Sequence, residues 1–359
     1  MEKCINMSTV ETKNQHQIVG FNYLRAIACI AIIILHVHYA ASLQYVKVIS
    51  SQSYIISNII RNCMMWAVPC FIMITGALLL NPQHAVSRKK IFTKYIKKVL
   101  IALILFVFIY RIFDMIISPE GITAQGFALA ITQFLTGSSW SPLWYLYMLI
   151  GLYLLLPIYR KIVFSSKEDD IKYLLFIGLL FMSILPLTQL AGIKLNFTIH
   201  IASIYPVCLF LGYAISKKMI DLDNKKSIAL LICSLLLIIL ISYMRFTNNY
   251  QQLDLLLSYS SPLNILLSVS LFQLFNNAKE IHSKFIHTIL LSLDHCSFSI
   301  YLIHIIFVKL ILRVFMINPY KYGMLGLLLL VIVILVVSWL ISYIYLKTFT
   351  LIKKPSTMK

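Results

Sequence analysis

Residues 21–36 read FNYLRAIACIAIIILH, an apolar run with Arg25 near its start and His36 at its end. The whole apolar stretch, residues 18–41, is long enough to cross a bilayer as an α-helix. Eleven helical steps of about 100° bring the two side chains within about 20° of one face, about 16 Å apart along the axis. A guanidinium in hydrocarbon costs about 2.5–3.5 kcal/mol, so two ionisable groups on one face of a membrane helix indicate a functional site.

The composition places the rest of the chain in a membrane as well. Hydrophobic residues make up 60% of the sequence and charged residues only 12%, which excludes an ordinary soluble domain. The first twenty residues are polar and resemble no cleavable signal peptide. The seven cysteines show no paired spacing, so we expect small buried side chains and neither disulfides nor a metal site.

Apolar runs of about 20 residues predict an all-α, polytopic integral membrane protein with about ten transmembrane helices. The predicted spans are 18–41, 54–80, 96–117, 142–164, 171–191, 199–216, 227–246, 254–277, 295–316 and 323–347. The sixth run is short, and the eighth is interrupted by serines and Pro262. This count divides the chain into an N-terminal tail (1–17), a membrane domain (18–347) and a basic C-terminal tail (348–359).

Basic residues predict the orientation of these spans. They cluster after spans two, four, six and eight and in the C-terminal tail, whereas the alternate loops hold only Lys47, Lys194, Arg245 and Lys321. The positive-inside bias therefore predicts that both termini are cytoplasmic and that the protein lies in the cytoplasmic (inner) membrane. The same bias explains the net charge of +19, so nucleic acid is not expected as a partner.

The longest loop on the opposite side runs from Ser118 to Ser141. Its apolar segment Gln125–Leu135 predicts a short interfacial helix. The loop is either an outer lid or rim for a substrate, or an ordinary long connection.

Four stretches, taken together and in this order, resemble the bacterial membrane acyltransferase-3 family, which moves acyl groups onto cell-surface sugars. They are NYLRAIA (22–28, continuing to His36), AVPCFIMITG (67–76), LWYL with GLYLLLP (143–146 and 151–157), and SFSIYLIH (297–304). The family's basic pair at the start of the third span is replaced by Lys94-Tyr95, with Lys97 and Lys98 following. The chain looks like the stand-alone, surface-polysaccharide O-acetyltransferase type, since no esterase-like domain is expected after the last span.

The resemblance implies a catalytic role for His36 in the first span. Burial in a low dielectric disfavours imidazolium, which leaves a histidine usable as a base for the acceptor hydroxyl or as a transient acyl carrier. The alternative is a packed histidine that bonds a neighbouring backbone group. His38 is expected to point about 160° away and to lie at the interface.

Cationic residues are the candidates for binding the acyl donor. Arg25 could hold a phosphate or an amide of acetyl-CoA, or could extend to the inner interface. Lys94, Lys97 and Lys98 could bind the nucleotide phosphates, although positive-inside anchoring alone would also place them there. Arg61, predicted at about the depth of His36, could stabilise the oxyanion of the thioester carbonyl or pair with Asp114.

Aromatic and histidine residues are the candidates for the acceptor. Trp144 and Tyr145 lie at the predicted outer end of span four and form either an interfacial belt or a sugar-stacking surface. Tyr301 and His304 share one face of span nine, where His304 could orient His36, carry a second proton or simply bridge helices. Asp294 and His295 are expected to cap the start of that span.

These features predict a membrane O-acyltransferase that moves an acyl group, most simply acetyl, from acyl-CoA to a hydroxyl of a surface polysaccharide or its lipid-linked precursor. Acetyl-CoA would be a co-substrate, and neither a permanently bound cofactor nor a metal is expected. The partners would be the acyl-CoA donor, the glycan or lipid-linked glycan acceptor, and the bilayer. The alternatives are a transporter or flippase for the glycan, and a non-catalytic membrane accessory subunit.

Overall fold

A computed structural model of the chain describes residues 2–84, 86–193 and 203–353, and every regular element in these ranges is helical. The α-helices are α1 (Glu2–Gln44), α2 (Ser51–Cys63), α3 (Ala67–Leu79), α4 (Arg88–Lys90), α5 (Lys97–Ile117), α6 (Ala124–Thr136), α7 (Trp144–Ser165), α8 (Glu168–Leu179), α9 (Ile204–Ser216), α10 (Asn224–Thr247), α11 (Asp254–Leu257), α12 (Pro262–Asn276), α13 (Lys284–Lys309) and α14 (Gly323–Lys353). Segments of π-helix extend them at Ile91–Ile96, Leu180–Ile184 and Leu310–Val314, and 3₁₀ turns lie at Ser141–Leu143, Leu185–Ala191, Gln251–Leu253 and Pro319–Tyr322.

Nine helical stretches within the described ranges are long and apolar enough to cross a membrane. They are built from α1, α2–α3, α4–α5, α6–α7, α8, α10, α11–α12, α13 and α14 with their extensions. The sixth predicted span, 199–216, corresponds to α9, an apolar helix of 13 residues. Residues 199–202 lie outside the described ranges, and α9 alone is about 20 Å long.

The direction of α13 relative to α1 tests the number of crossings. Contacts along the two helices advance together, from Tyr23–His287 through Arg25–Asp294 to His36–His304, so α1 and α13 run parallel. Two helices cross in the same direction when their positions in the order of crossings differ by an even number. If only the nine long stretches crossed, α13 would be the eighth and antiparallel to α1.

A second pair of helices leads to the same count. Tyr54 of α2 contacts Phe246 of α10, and Asn62 contacts Ser242, so these helices are antiparallel. Both pairs have the right direction when α9 also crosses, which makes ten crossings. The directions of these helices therefore agree with the ten predicted spans, of which nine are long and apolar enough to cross by themselves.

The chain divides into two compact units, Met1–Ala77 with Glu168–Lys359, and Leu78–Lys167. In the first unit α1 packs against α2, α12, α13 and α14. Its side chains are buried around most of its circumference, as Leu24, Ala26, Ala28 and Ile33 show at 0% exposure. A helix that is apolar on nearly all faces belongs inside a bundle, which protects its few polar groups from lipid.

In the second unit, the predicted outer loop is anchored by Trp140. The indole N–H of Trp140 donates to Asp114 of α5 at 2.6 Å, and its ring stacks on Tyr110 at 4.2 Å. The short helix predicted in this loop is present as α6, and Arg111 donates to the carbonyl of Gly126 at 3.3 Å. These contacts hold residues 118–141 against α5.

Burial, as predicted for the cysteines, is found for five of the six whose side chains are described. Cys29, Cys63, Cys70, Cys208 and Cys296 are buried free thiols, and Cys233 is exposed and also free. The side chain of Cys4 lies outside the described part of the chain.

Helices α3 and α9 approach so closely that each requires a glycine. The Cα of Gly212 lies against the carbonyl of Met73, and the Cα of Gly76 lies against the carbonyl of Leu209. We expect Gly212→Ala to lower the free energy of unfolding by about 1–3 kcal/mol, because backbone atoms must separate to admit the methyl group. Thermal unfolding of the detergent-purified protein measures this change.

Gly151 of α7 is the matched control for this substitution. A methyl group built there meets no atom within 4 Å, so Gly151→Ala should be neutral or stabilising by up to about 1 kcal/mol. Equal unfolding temperatures for the two variants would contradict the proposed close packing of α3 and α9.

Candidate active site

Arg25 forms an ion pair with Asp294 at the interface of α1 and α13. Its Nε lies 2.6 Å from Oδ1 of Asp294, and one terminal nitrogen lies 3.3 Å from Oδ2. The same nitrogen donates to Oδ1 of Asn22, one turn earlier on α1, at 2.6 Å. The two charged side chains are 28% and 14% exposed, so the pair is largely withdrawn from solvent. The other terminal nitrogen of Arg25 has no partner among the described residues and is available to a ligand.

This ion pair corrects the expected role of Asp294. Helix α13 begins at Lys284 with Ser283 as its N-cap, eleven residues before the predicted start of span nine. Asp294 and His295 therefore lie in the interior of the helix, and the prediction that they cap it is wrong. Asp294 was missed as a site residue because its partner is 269 positions away in the sequence.

His36 lies against His304 on the same interface. The Nδ1 of His36 is 3.1 Å from the Nε2 of His304, and the two ring centres are 5.0 Å apart. His304 is fully buried, and its Nδ1 lies 3.1 Å from the carbonyl of Ile300 in the preceding turn of α13. His36 keeps part of its surface accessible. Of the two rings, that of His36 is therefore partly accessible, and the buried ring of His304 contacts it from inside the bundle.

Both polar pairs lie on one stripe of the α1–α13 interface. Arg25 and His36 face α13, as the eleven-residue spacing predicts, and their partners Asp294 and His304 are ten residues apart on α13. The ring of Tyr301 is 6.1 Å from that of His304. His38 does not share the stripe: it is only 5% exposed, which corrects the expectation that it lies at the interface.

Arg61 of α2 lies among aromatic rings, one of which belongs to Tyr39, one turn after His36 on α1. Its guanidinium is 5.6 Å from the ring centre of Tyr39 and 5.7 Å from that of Phe246, and it donates to the side chain of Asn62 at 3.1 Å. No carboxylate of the described residues lies within ion-pair distance. A partly buried guanidinium that no carboxylate of the described residues contacts is suited to bind an anion or a developing negative charge.

The other predicted site residues belong to the second unit. Lys94 lies in the π-helical segment, and Lys97 and Lys98 begin α5; all three are exposed. Trp144 and Tyr145 form the first turn of α7, with their ring centres 6.2 Å apart. The structure therefore places Arg25, His36, Arg61, Tyr301 and His304 together in the first unit, and the lysines with Trp144 and Tyr145 in the second.

Arg160 has a different role from the one its charge suggested. It lies next to the basic cluster that follows span four, which predicts an exposed cytoplasmic residue, but it is 7% exposed within α7. Its guanidinium donates to the carbonyls of Leu79, Asn81 and His84, of which the last is 2.8 Å away. Arg160 thus caps the end of α3 and holds the loop that leads to the basic segment.

A cavity of about 530 Å³ lies in the first unit between the 3₁₀ turn Leu185–Ala191 and the segment that follows α10. The residues that line it include Gln189, Gln251, Gln252, Asp254 and Ser258. Arg245 holds Asp254 in place through two hydrogen bonds of 2.8 and 2.9 Å. No sequence motif marks this cavity.

A comparison with protein families identifies the chain. The model of the acyltransferase-3 family, described as an acyltransferase domain, matches residues 18–345. No curated protein and no solved structure showed a significant match. The family match covers most of the sequence and includes every candidate residue above. The chain therefore belongs to the acyltransferase-3 family and is a multi-pass membrane acyltransferase.

Proposed function

We propose that this acyltransferase moves an acetyl group from cytoplasmic acetyl-CoA to a hydroxyl of a surface polysaccharide or its lipid-linked precursor, in the inner membrane. The observation that carries the proposal is the α1–α13 interface. It presents a guanidinium and an imidazole on one polar stripe inside the bundle, about 16 Å apart along α1. An acyl-CoA molecule is elongated, so one end can be held at Arg25 while its thioester reaches His36.

In the proposed reaction His36 acts as the base. It takes the proton of the acceptor hydroxyl while the hydroxyl oxygen attacks the thioester carbonyl. Arg61 stabilises the oxyanion that forms on the carbonyl oxygen. The C–S bond then breaks, the ester remains on the sugar, and the proton held by His36 passes to the departing CoA thiolate. Atoms and charge balance without a metal or a redox partner.

Cations on two elements support binding of the donor. Arg25 keeps one terminal nitrogen without a described partner, and a charge-assisted bond to a phosphate or amide of the donor would use it. The exposed Lys94, Lys97 and Lys98 match the phosphates of the nucleotide in sign, although lysine contacts phosphate as a point charge.

Aromatic and amide groups support binding of the acceptor. Trp144, Tyr145 and Tyr301 offer ring faces of the kind that stack on sugars, and the cavity beside Asp254 offers amides and hydroxyls. By the positive-inside rule, this cavity opens on the outer side, where a surface glycan or its precursor is found.

Transfer of radiolabelled acetyl in liposomes tests the function directly. The purified protein would be incorporated with lipid-linked glycan extracted from the native cells, and labelled acetyl-CoA would be supplied. We expect label to appear in the glycan fraction and to be released by mild alkali, because an ester is formed. Succinyl-CoA in a parallel reaction distinguishes the acyl group.

Two other outcomes would contradict the proposal. Movement of the glycan across the liposome membrane without transfer of label would indicate a transporter or flippase. Absence of both transfer and movement would indicate an accessory subunit. Protein-free liposomes are the control in each case.

A further inference from the structure

Two hydrogen bonds of His304 determine where its proton lies. Its Nδ1 is 3.1 Å from the carbonyl oxygen of Ile300, and its Nε2 is 3.1 Å from the Nδ1 of His36. A carbonyl oxygen can only accept, so the Nδ1 of His304 carries a hydrogen. A neutral imidazole has one N–H, which leaves the Nε2 of His304 as an acceptor.

The same reasoning then applies to His36. Because the Nε2 of His304 accepts, the Nδ1 of His36 must be the donor between the two rings. The lone pair of His36 therefore lies on its Nε2, the ring nitrogen turned away from His304. Of the two histidines, only His36 has accessible surface, so this lone pair belongs to the ring that a substrate can reach.

The surroundings favour two neutral rings over a charged pair. No carboxylate of the described residues lies within ion-pair distance of His36 or His304. A proton added to either ring would place an unpaired charge in the bundle interior, at a high cost in free energy. The arrangement of one N–H per ring satisfies both hydrogen bonds without that charge.

We infer that His304 is a positioning residue that holds His36 in the Nδ1–H tautomer, so that Nε2 of His36 is the atom that reacts. The assignment of Nε2 as the reacting atom rests on the proposed function, whereas the tautomer is a property of the resting protein. The role resembles that of any group that orients a catalytic histidine through its second nitrogen. The carbonyl of Ile300 is the last acceptor in this series of hydrogen bonds, and the backbone of α13 fixes its position.

Nitrogen-15 NMR of the protein labelled at histidine tests the tautomer. The His36 signals are assigned by their loss in His36→Gln. We expect the hydrogen of His36 on Nδ1 and an unprotonated Nε2 in the wild-type protein. A hydrogen on Nε2 of His36 would overturn the inference, and this result needs no variant of His304 and no enzyme activity.

Two substitutions of His304 separate positioning from packing. His304→Gln places an amide oxygen near the former Nε2, where it can accept from His36, whereas His304→Asn reaches only toward the Ile300 carbonyl. We expect kcat to fall about tenfold in His304→Asn, the equivalent of one lost hydrogen bond, and to be largely restored in His304→Gln. The KM for acetyl-CoA should stay unchanged in both.

The outcomes distinguish this inference from the proposed function. Equal kcat values and an unchanged His36 tautomer in His304→Asn would show that His304 only fills space. If the wild-type spectrum shows the Nδ1–H tautomer but acetyl-CoA is not a donor, the proposed function fails and the tautomer assignment stands.

Discussion

Replacing His36 by glutamine is expected to lower kcat for acyl transfer by about 10²–10⁴-fold, the usual contribution of a general base. Glutamine keeps the size and a hydrogen-bonding group next to His304 but cannot take a proton. The measurement is the initial rate of label transfer from acetyl-CoA to glycan in liposomes. The KM for acetyl-CoA should change little, because His36 acts on the acceptor hydroxyl.

His38 provides a matched control on the same helix. It is buried at 5% exposure, and its Nδ1 has no hydrogen-bond partner among the described residues. His38→Gln makes the same chemical change two residues further along α1 but away from the α13 stripe. A kcat within about threefold of wild type is expected for this variant, since it removes no hydrogen bond to the proposed base. Similar losses in both variants would show that α1 tolerates neither substitution and would remove the support for His36 as base.

Substitutions of the Arg25–Asp294 ion pair are expected to separate its contribution to stability from its contribution to activity. Removing one member of a fully buried pair costs about 3–5 kcal/mol, and less here because part of the Arg25 side chain is exposed. Arg25→Met and Asp294→Leu should therefore each lower the unfolding temperature clearly. The double variant replaces both charges by apolar groups and should regain most of the lost stability.

Activity should not return with stability in the double variant. If Arg25 binds the donor, the KM for acetyl-CoA stays raised in every variant that lacks the guanidinium. A charge-assisted hydrogen bond is worth about 1.5–3 kcal/mol, which corresponds to an increase of about 10–150-fold. Recovery of both stability and KM in the double variant would mean that the pair is purely structural and that Arg25 does not contact the donor.

The start of span nine shows that hydropathy does not detect the polar first turns of a helix. The hydropathy pattern predicts that this span begins at His295, but α13 begins at Lys284. Its first turns carry polar residues whose partners lie on other helices, such as His287 with Tyr23 and Ser292 with Trp339. A hydropathy pattern assigns such residues to a loop because it cannot include partners far away in the chain.

Arg160 shows the same limit for a basic residue. Its charge and its position near the predicted inner end of span four were typical of a positive-inside anchor. Only the fold brings three backbone carbonyls of residues 79–84 to its guanidinium. Hydrogen-bond acceptors on a backbone leave no signal in the sequence.

By itself, the sequence determined the membrane class, the apolar helices and the common face of Arg25 and His36. These properties depend on local hydrophobicity and on the fixed rotation per residue of an α-helix, so neighbours in the chain are enough to establish them. Only the tertiary structure decided that Asp294 and His304 meet that face. Their contacts join positions 269 and 268 residues apart, and the packing of α13 against α1 creates them.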